Sequence, residues 1–406
     1  MTTPLIFASA ITRITDPKIA ADELAQSLSR QLDGRRPDLA LVFTCGQAPH
    51  VAAELAEAVS QSLGARILIG CTAESVIGRE EEIENETAAS VVAASLPGVD
   101  LSPFALAPGT WLDVCADDDV FRAHLGARSD SKLFILFCDP FTCPMDDLLD
   151  TFNTAYAGKP VIGGMASGGG SPGENVLFLN GGSFTVMNGG AVGVALGGGI
   201  EADVIVSQGC RPIGRPFTVT RAQRNVLLSL EDQPPMNRLQ EVVDQLPEWD
   251  RELLKNGVFV GRAIDPAREE LGRGDFLVRG VMGADPQRGF IAVGDYMHEG
   301  ENVQFHLRDA ATATEDLEMM LLPQTFLDPP AGAFLFSCNG RGTRLYDHPN
   351  GDVSTIQNIL GGAPLAGFFC AGEIGPVGGK NFLHGHTASM VIFRSVGRSS
   401  ENNYAN

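Results

Sequence analysis

Ala333-Phe334-Leu335-Phe336-Ser337-Cys338 is an apolar run typical of a buried strand, and Asn339-Gly340-Arg341-Gly342 follows it as a polar, glycine-rich loop. A second apolar run, Pro364 to Phe369, comes after a stretch long enough for a helix. Strands that alternate with helical connections indicate the strand–helix–strand units of α/β proteins. Loops at strand ends often carry function on a rigid scaffold, so this stretch also suggests where a site lies.

The same pattern occurs twice earlier in the chain. Twenty-five residues separate Cys45 from Gly70, and twenty-five separate Cys138 from Gly163. In the third unit, 29 residues separate Cys338 from Gly367. An internal duplication would explain this self-similarity. Convergence of ordinary α/β building blocks would explain it as well, and both explanations stay open at this point. We expect the strand ends at the three cysteines to be equivalent.

Length and composition indicate a folded chain with more than one domain. The chain has 406 residues, 44% of them hydrophobic and 19% charged, which is too long for a typical single core. A break near 211–216 predicts one domain over 1–215 and a second over 216–396. Residues 397–406 are predicted to form a polar tail.

Periodicity places several elements within these two halves. Helices are predicted over 19–32, 51–63, 235–255 and 310–322, the last with Asp309 as its N-cap. Strands over 275–283 and 289–295 should form an antiparallel hairpin, and 303–307 should add another strand. The fold class is therefore α/β, or layered α+β, with two related domains, mixed sheets flanked by helices and internal strand–helix–strand repeats.

The net charge and the hydropathy of the chain indicate which partners it can bind and in which cellular compartment it is found. The net charge is −21, which argues against nucleic acid or an anionic membrane as a partner. The amino terminus has no basic segment of a signal peptide, and no apolar run reaches the roughly 20 residues of a membrane span. We therefore expect a cytoplasmic protein with reduced cysteines.

The sequence predicts no cofactor and no metal. Gly168-x-Gly170-x-x-Gly173 formally matches a dinucleotide fingerprint, but a strand rather than a helix is predicted after it. No Cys-x-x-Cys pair is present. On a strand, His384 and His386 would share one face, yet only Glu373 offers a third metal ligand. A hydrogen-bonding pair is therefore the preferred interpretation of the two histidines.

Three polar clusters in the last quarter of the chain predict a small-molecule site. We expect one cavity lined by Cys338, Asn339, Arg341, Gly372, Glu373, His384 and Thr387. Arg341 would bind a ligand carboxylate and Glu373 its amine, as a zwitterion such as an amino acid requires. Alternatively, Arg341 and Glu373 pair with each other, or Glu373 caps backbone amides in a turn. Phe336, Phe368 and Phe369 would supply the apolar wall.

The motifs around these residues resemble the FIST family, named for F-box and intracellular signal transduction proteins. Three segments resemble the carboxy-terminal half of that family. They are Cys338-Asn339-Gly340-Arg341-Gly342, Gly372-Glu373-Ile374-Gly375, and His384 with Thr387. Gly70-Cys71-Thr72 and residues 163–168 resemble its amino-terminal half. The resemblance implies a sensory module for small ligands such as amino acids. No kinase, receiver, methyl-accepting or F-box segment is recognised, so we expect that a signal passes to a separate signalling protein or that the chain works alone.

Two other functions stay open from sequence alone. In one, the protein is an enzyme of acyl or amide chemistry, with Cys338 as nucleophile and His384 as its base. Arg341 and Arg344 follow Cys338 closely, and nearby cations lower the pKa of a thiol. In the other, the chain is a protein-recruitment module. No catalytic residue is assigned, and a small-ligand sensor remains the leading hypothesis.

Overall fold

Three units with one order of elements, and a barrel inserted in the third, make up the chain. The computed structural model describes residues 4–265, 268, 271, 272 and 274–396. The first unit contains β1 (Ile6–Thr12), α1 (Pro17–Gln31), β2 (Leu39–Cys45), α2 (Pro49–Leu63), β3 (Ile67–Ala73), β4 (Val76–Ile77), β5 (Glu82–Ile83) and β6 (Ala88–Ser95). The second contains β7 (Val99–Leu106), α3 (Trp111–Val114), α4 (Asp118–Leu125), β8 (Leu133–Cys138), α5 (Met145–Ala155), β9 (Val161–Met165), β10 (Leu177–Asn180), β11 (Phe184–Met187) and β12 (Ala191–Gly198).

The third unit begins with β13 (Ile200–Ser207) and is then interrupted by the barrel. The barrel elements are β14 (Cys210–Gln223), β15 (Val226–Leu230), α6 (Pro235–Gln245), α7 (Glu248–Leu253), β16 (Phe259–Ala263), β17 (Phe276–Asp285), β18 (Phe290–Val293) and β19 (Asn302–Arg308). The unit resumes with α8 (Ala310–Leu321), β20 (Gly332–Cys338), α9 (Gly351–Leu360), β21 (Leu365–Cys370), β22 (Glu373–Val377), β23 (Lys380–His384) and β24 (Ala388–Ser395).

The chain forms three mixed six-stranded sheets, and the strand order is equivalent in all three. Each unit contributes the first four strands of one sheet. The orders are β1-β6-β2-β3-β10-β11, β7-β12-β8-β9-β22-β23 and β13-β24-β20-β21-β4-β5. In each sheet the two central strands are parallel, and the last two strands are a hairpin from another unit. The hairpins are exchanged in a cycle, which interlocks the units. The predicted α/β class, with mixed sheets flanked by helices and strand–helix–strand repeats, is confirmed, although the repeated units number three. Cys45, Cys138 and Cys338 each end the first parallel strand of a unit.

A glycine in the second parallel strand of each unit is required by close backbone approach. A Cβ atom on Gly70, Gly163 or Gly367 would overlap the carbonyl oxygen of the residue it pairs with on the neighbouring strand. Only glycine fits such a position. This shared constraint explains why a glycine recurs at matched intervals in the sequence.

Phenylalanines from all three units meet in the core between the sheets. The rings of Phe43, Phe137 and Phe336 contact one another with centroids 5.2 to 6.3 Å apart, and Phe368 packs against all three. All four side chains are fully buried. Phe336 and Phe368 are therefore core residues and not the predicted wall of a ligand cavity. Phe369 lies in a second core beneath α8 and α9.

The structure confirms most of the predicted elements and corrects one helix. Asp309 caps α8 as predicted, with Oδ1 accepting a hydrogen bond from the Thr312 amide at 2.8 Å. The helix predicted over 235–255 is divided into α6 and α7, because Leu246 precedes Pro247 and adopts the extended conformation that a following proline favours. The predicted boundary at 215/216 lies inside β14, so the strand crosses it without a break. No helix in the described residues is long and apolar enough to cross a membrane.

Removing the N-cap of α1 is expected to cost about 1 kcal/mol of unfolding free energy. Asp16 Oδ1 accepts hydrogen bonds from the amides of Lys18 and Ile19 at 3.1 and 3.0 Å. Asp16→Ala leaves these amides without that partner. Urea unfolding followed by circular dichroism measures the change, with Glu23→Ala on the exposed face of the same helix as the control. Equal effects of the two variants would contradict the assignment of the cap.

Candidate functional site

The candidate site forms where the ends of strands from two sheets and the barrel come together. Cys338 ends β20, Glu373 begins β22, and Thr387 lies in the turn that leads into β24. The barrel contributes Arg308, the last residue of β19. We call Cys338, Asn339, Arg341, Glu373, His386, Thr387 and Arg308 the cysteine cluster. Arg341, Glu373 and Thr387 are buried, whereas the other four residues are half-buried.

Glu373 is a buried carboxyl group held by the turn before β24. Its Oε2 accepts hydrogen bonds from the Thr387 amide at 3.0 Å and from the Thr387 hydroxyl at 2.8 Å. Burial raises the pKa of Glu373 to about 7, even though these hydrogen bonds favour its ionised form. Its other oxygen, Oε1, has no hydrogen-bond partner among the described residues, although the Cys338 thiol lies beside it. Glu373 therefore keeps its proton to a higher pH than an exposed carboxyl group does, and Oε1 is the oxygen that its hydrogen bonds to Thr387 leave open.

The thiol of Cys338 is less acidic than the sequence suggested. Burial, and then the carboxyl group of Glu373, raise its pKa to about 12. The prediction that neighbouring arginines would lower this pKa is wrong, because desolvation outweighs them. Arg344 instead forms an exposed ion pair with Glu74. The Gly340 amide points toward the Cys338 sulfur at 3.4 Å.

Arg341 is committed to an internal ion pair that the sequence analysis did not anticipate. Its Nε and Nη2 donate to the two carboxylate oxygens of Asp352 at 2.8 and 2.6 Å, and Nη2 also donates to the Tyr346 hydroxyl at 2.8 Å. Arg341 and Asp352 are both fully buried. This edge of the guanidinium is therefore occupied by Asp352. It is not free for the two roles predicted from the sequence, which were binding a ligand carboxylate and pairing with Glu373. Only Nη1 is left without a partner in the described part of the chain.

The two histidines lie in different surroundings. His384 is buried, and its Nε2 lies 2.9 Å from the Gly375 carbonyl oxygen. Burial lowers the pKa of His384 to about 4, and no hydrogen bond joins it to Cys338 among the described residues. His386 adopts a left-handed conformation with φ of 68° and stacks edge-on against Phe259. The Nδ1 atom of His386 faces Gly340, and the side chains of Arg308 and Cys338 lie next to it.

Arg308 is the cluster residue that sequence reasoning missed. Burial, and then the positive charge of Arg341, lower its pKa. No ion pair to Arg308 is present in the described residues, and its Nε and Nη2 are buried without hydrogen-bond partners. A buried guanidinium without a partner is costly, so such groups are normally satisfied by an anion or water. The only sequence signal was an arginine at a strand end just before the helix cap Asp309.

Unpartnered polar atoms are concentrated in this cluster. Among the described residues they include donors on Arg308 and Arg341, acceptors on Asn339 and Glu373, and the Nδ1 atom of His386. A Cβ atom on Gly340 would lie 3.3 to 3.7 Å from Arg308, His386 and Cys338, so these side chains converge on one point. Gly372 instead supports the strand pairing, since its carbonyl accepts from the Met165 amide. No group of three or more potential metal-ligating His, Cys, Asp or Glu side chains occurs in the described residues.

Titration of Glu373 is expected to make the protein less stable as the pH rises from 4.5 to 7. The folded-state pKa lies above the ordinary value of 4.5, so in this window the folded protein binds more protons than the unfolded chain. One such group contributes a fall of about 1.4 kcal/mol per pH unit. Glu373→Gln should flatten that part of the curve. Denaturant unfolding at a series of pH values measures it, and an unchanged slope in the variant would contradict the raised pKa.

The fold and the cluster together define an interlocked α/β protein with a candidate small-ligand site. Residues 38–233 match the FIST N domain, and residues 235–376 match the FIST C domain. The chain therefore belongs to the FIST family, as its motifs suggested.

Relatives and solved structures with similarity to the chain include the following. An uncharacterized protein of Mycobacterium tuberculosis (Rv0628c) is 39% identical over 393 residues, covering 94% of this chain and 98% of that protein. An uncharacterized protein of Mycobacterium bovis (Mb0898c) is 39% identical over 388 residues, covering 93% and 96%. A cyanuric acid hydrolase structure aligns with a TM-score of 0.39 and 8% identity over 97% of this chain and 100% of that one. At that score the structural similarity says nothing about the activity of this chain.

Proposed function

We propose that the cysteine cluster binds a small zwitterionic ligand, such as an amino acid, and that the protein acts as a sensory module. The single observation that carries the proposal is that the cysteine cluster holds several buried donors and acceptors without hydrogen-bond partners among the described residues. Native proteins rarely leave such groups unsatisfied, because each one costs the desolvation energy of a polar atom. A ligand that carries both signs of charge would satisfy them.

The charges of Arg308 and Glu373 suggest which side chain would bind the carboxylate of the ligand and which would bind its ammonium group. Nε and Nη2 form one edge of the Arg308 guanidinium, the edge that can donate two parallel hydrogen bonds to a carboxylate. The free Oε1 of Glu373 and the Oδ1 of Asn339 are acceptors suited to an ammonium group. The proposal thus keeps the amino-acid ligand inferred from sequence but transfers its carboxylate from Arg341 to Arg308. A signal would then pass to a separate protein.

A thermal-shift screen with the common L-amino acids, one at a time, tests this function. A ligand that binds only the folded state raises its melting temperature as its concentration increases. We expect a shift for at least one amino acid, and we expect the corresponding amide without a carboxylate to give none. If no amino acid shifts the melting temperature at millimolar concentration, the proposed ligand class is wrong.

One observation favours a second candidate function, an enzyme with Cys338 as nucleophile. The thiol lies beside Glu373, whose pKa near 7 suits a general base at neutral pH. His384, the base predicted from the sequence, is hydrogen-bonded to the Gly375 carbonyl, whereas Glu373 lies beside the thiol. In this alternative Glu373 would take the proton of Cys338 as the thiol attacks a carbonyl carbon.

Cys338→Ser distinguishes the two functions. If Cys338 only lines the site, the variant should bind the amino acid with an affinity within about tenfold of the wild type, or roughly 1.4 kcal/mol. Isothermal titration calorimetry measures that change. If Cys338 is a nucleophile, the variant should lose turnover of an amide or ester substrate while its fold is retained. Complete loss of binding in a folded Cys338→Ser protein would contradict the passive role proposed for the thiol.

A further inference from the structure

A small cavity lies between the first and second units, at the start of α2. Its volume is about 200 Å³, and its lining includes Thr44, Gly46, Gln47, Thr72, Gly168 and Glu174. We call it the Thr44 cavity. None of these residues belongs to the cysteine cluster, so an inference about this cavity does not rest on the function proposed above.

The hydroxyl of Thr44 is a buried polar group without a partner. Thr44 is 1% exposed, and its Oγ1 makes no hydrogen bond to any described residue. Ser337 holds the equivalent place in the third unit, one residue before the cysteine that ends the strand, and it donates to Asp352 at 2.7 Å. On the neighbouring strand, the Thr72 hydroxyl accepts from the Val176 amide at 2.9 Å. The Thr44 hydroxyl thus lacks the hydrogen bond that the Ser337 hydroxyl makes at the equivalent position. Thr44 also lines the cavity, where a ligand could supply the missing partner.

The start of α2 borders the same cavity. The N-cap of this 15-residue helix is Ala48, whose side chain cannot accept a hydrogen bond from the first turn. Pro49, the first helical residue, lines the cavity. Proline has no N–H to donate, but the start of a helix carries a partial positive charge, so an oxygen atom of a ligand is favoured beside it.

Gln47 and Glu174 supply acceptors. The Nε2 of Gln47 donates to the Ala88 carbonyl at 3.2 Å, which leaves its Oε1 buried and without a partner among the described residues. One oxygen of Glu174 accepts from the amides of Gly170 and Ser171, both at 3.0 Å. The carboxylate disfavours an anion, and the helix start disfavours a cation. A neutral molecule with both a donor and an acceptor fits this lining.

We propose that the Thr44 cavity binds a small neutral amide. The amide oxygen would accept from the Thr44 hydroxyl and lie beside the positive end of α2, and an amide N–H would donate to Gln47 Oε1. The volume corresponds to roughly seven water molecules at about 30 Å³ each, which limits the ligand to a small molecule.

Nuclear magnetic resonance of the full chain with acetamide as the probe tests this proposal. We expect saturable shifts of the backbone amides of Gly46, Gly168 and Gly169 on titration with acetamide, and no saturable shifts there with acetate. Thr44→Val, which removes the hydroxyl and keeps the shape, should weaken acetamide binding at least tenfold. Thr151→Val is the matched control, since that hydroxyl donates within α5 to the Asp147 carbonyl at 2.8 Å. The control should bind acetamide as the wild type does.

Melting temperature separates a ligand role of Thr44 from a structural one. Because the hydroxyl has no partner among the residues that the structure describes, Thr44→Val should melt at or above the wild-type temperature, whereas Thr151→Val should melt lower. Gln47→Met serves as a second variant and should also weaken acetamide binding at least tenfold. The proposal is overturned if acetamide gives no saturable shift, if acetate binds as well as acetamide, or if both variants bind acetamide with wild-type affinity.

Discussion

Replacing Asp352 with asparagine is expected to destabilise the protein by about 3 to 5 kcal/mol. The carboxylate of Asp352 accepts two hydrogen bonds from Arg341, and both side chains are fully buried. Asp352→Asn removes the negative charge and leaves the Arg341 guanidinium without a counter-ion in the interior. Ser337 and Tyr346 also donate to this carboxylate, so the asparagine disturbs their hydrogen bonds as well.

Urea unfolding followed by circular dichroism measures this effect, and an exposed ion pair of the same loop supplies the control. Arg344 pairs with Glu74 at the surface, where the arginine side chain is 55% exposed. Glu74→Gln should therefore change the unfolding free energy by less than about 1 kcal/mol. If Asp352→Asn were as mild as Glu74→Gln, the pair would not have the structural role that we assign to it. Arg341 would then be available to a ligand, as the sequence analysis had expected.

Replacing Arg308 with glutamine is expected to weaken amino-acid binding about tenfold to a hundredfold. A charge-assisted hydrogen bond contributes about 1.5 to 3 kcal/mol, and every 1.4 kcal/mol is a factor of ten in affinity. The stability of the free protein should not fall, because Arg308 has no ion pair in the described part of the chain and lies near the positive charge of Arg341. Loss of binding without loss of stability is the signature of a ligand-binding arginine.

Isothermal titration calorimetry with the amino acid found in the screen gives the affinities, and thermal melting of the free proteins gives the stabilities. Arg128→Gln is the matched control, since this exposed arginine pairs with Asp130 in the second unit and should leave binding unchanged. If Arg308→Gln lowered the melting temperature and kept the affinity, Arg308 would be a structural residue, and the assignment of the ligand carboxylate to it would fail.

The repeated architecture could be predicted because it leaves a local signal. Each unit needs a buried apolar strand that ends at a cysteine, and each needs a glycine where two backbones approach closely, so Cys45, Cys138 and Cys338 recur at matched positions. The cyclic exchange of hairpins could not be predicted, because a two-residue strand such as β4 carries no signal for the sheet that it joins. The barrel between β13 and α8 also left no signal of its closure.

Some residues of the cysteine cluster could be predicted to lie together, and those that were missed share a physical cause. Cys338, Glu373 and Thr387 are neighbours as expected, since they belong to strand ends of one unit. The partner of Arg341 was missed because Asp352 lies on α9 and only the fold turns its carboxylate inward. Arg308 was missed because it comes from the inserted barrel. The pKa of Cys338 was misjudged because neighbouring charges can be counted along the sequence, whereas the depth of burial cannot.

The most direct test of the central claim is a crystal structure of the protein grown with the amino acid that gives the largest thermal shift. Our account predicts electron density for that ligand beside Gly340, with its carboxylate within hydrogen-bond distance of Nε and Nη2 of Arg308. Its amine should lie within the same distance of Glu373 Oε1. Density for the ligand elsewhere, with only water in contact with Arg308 and Glu373, would contradict the account.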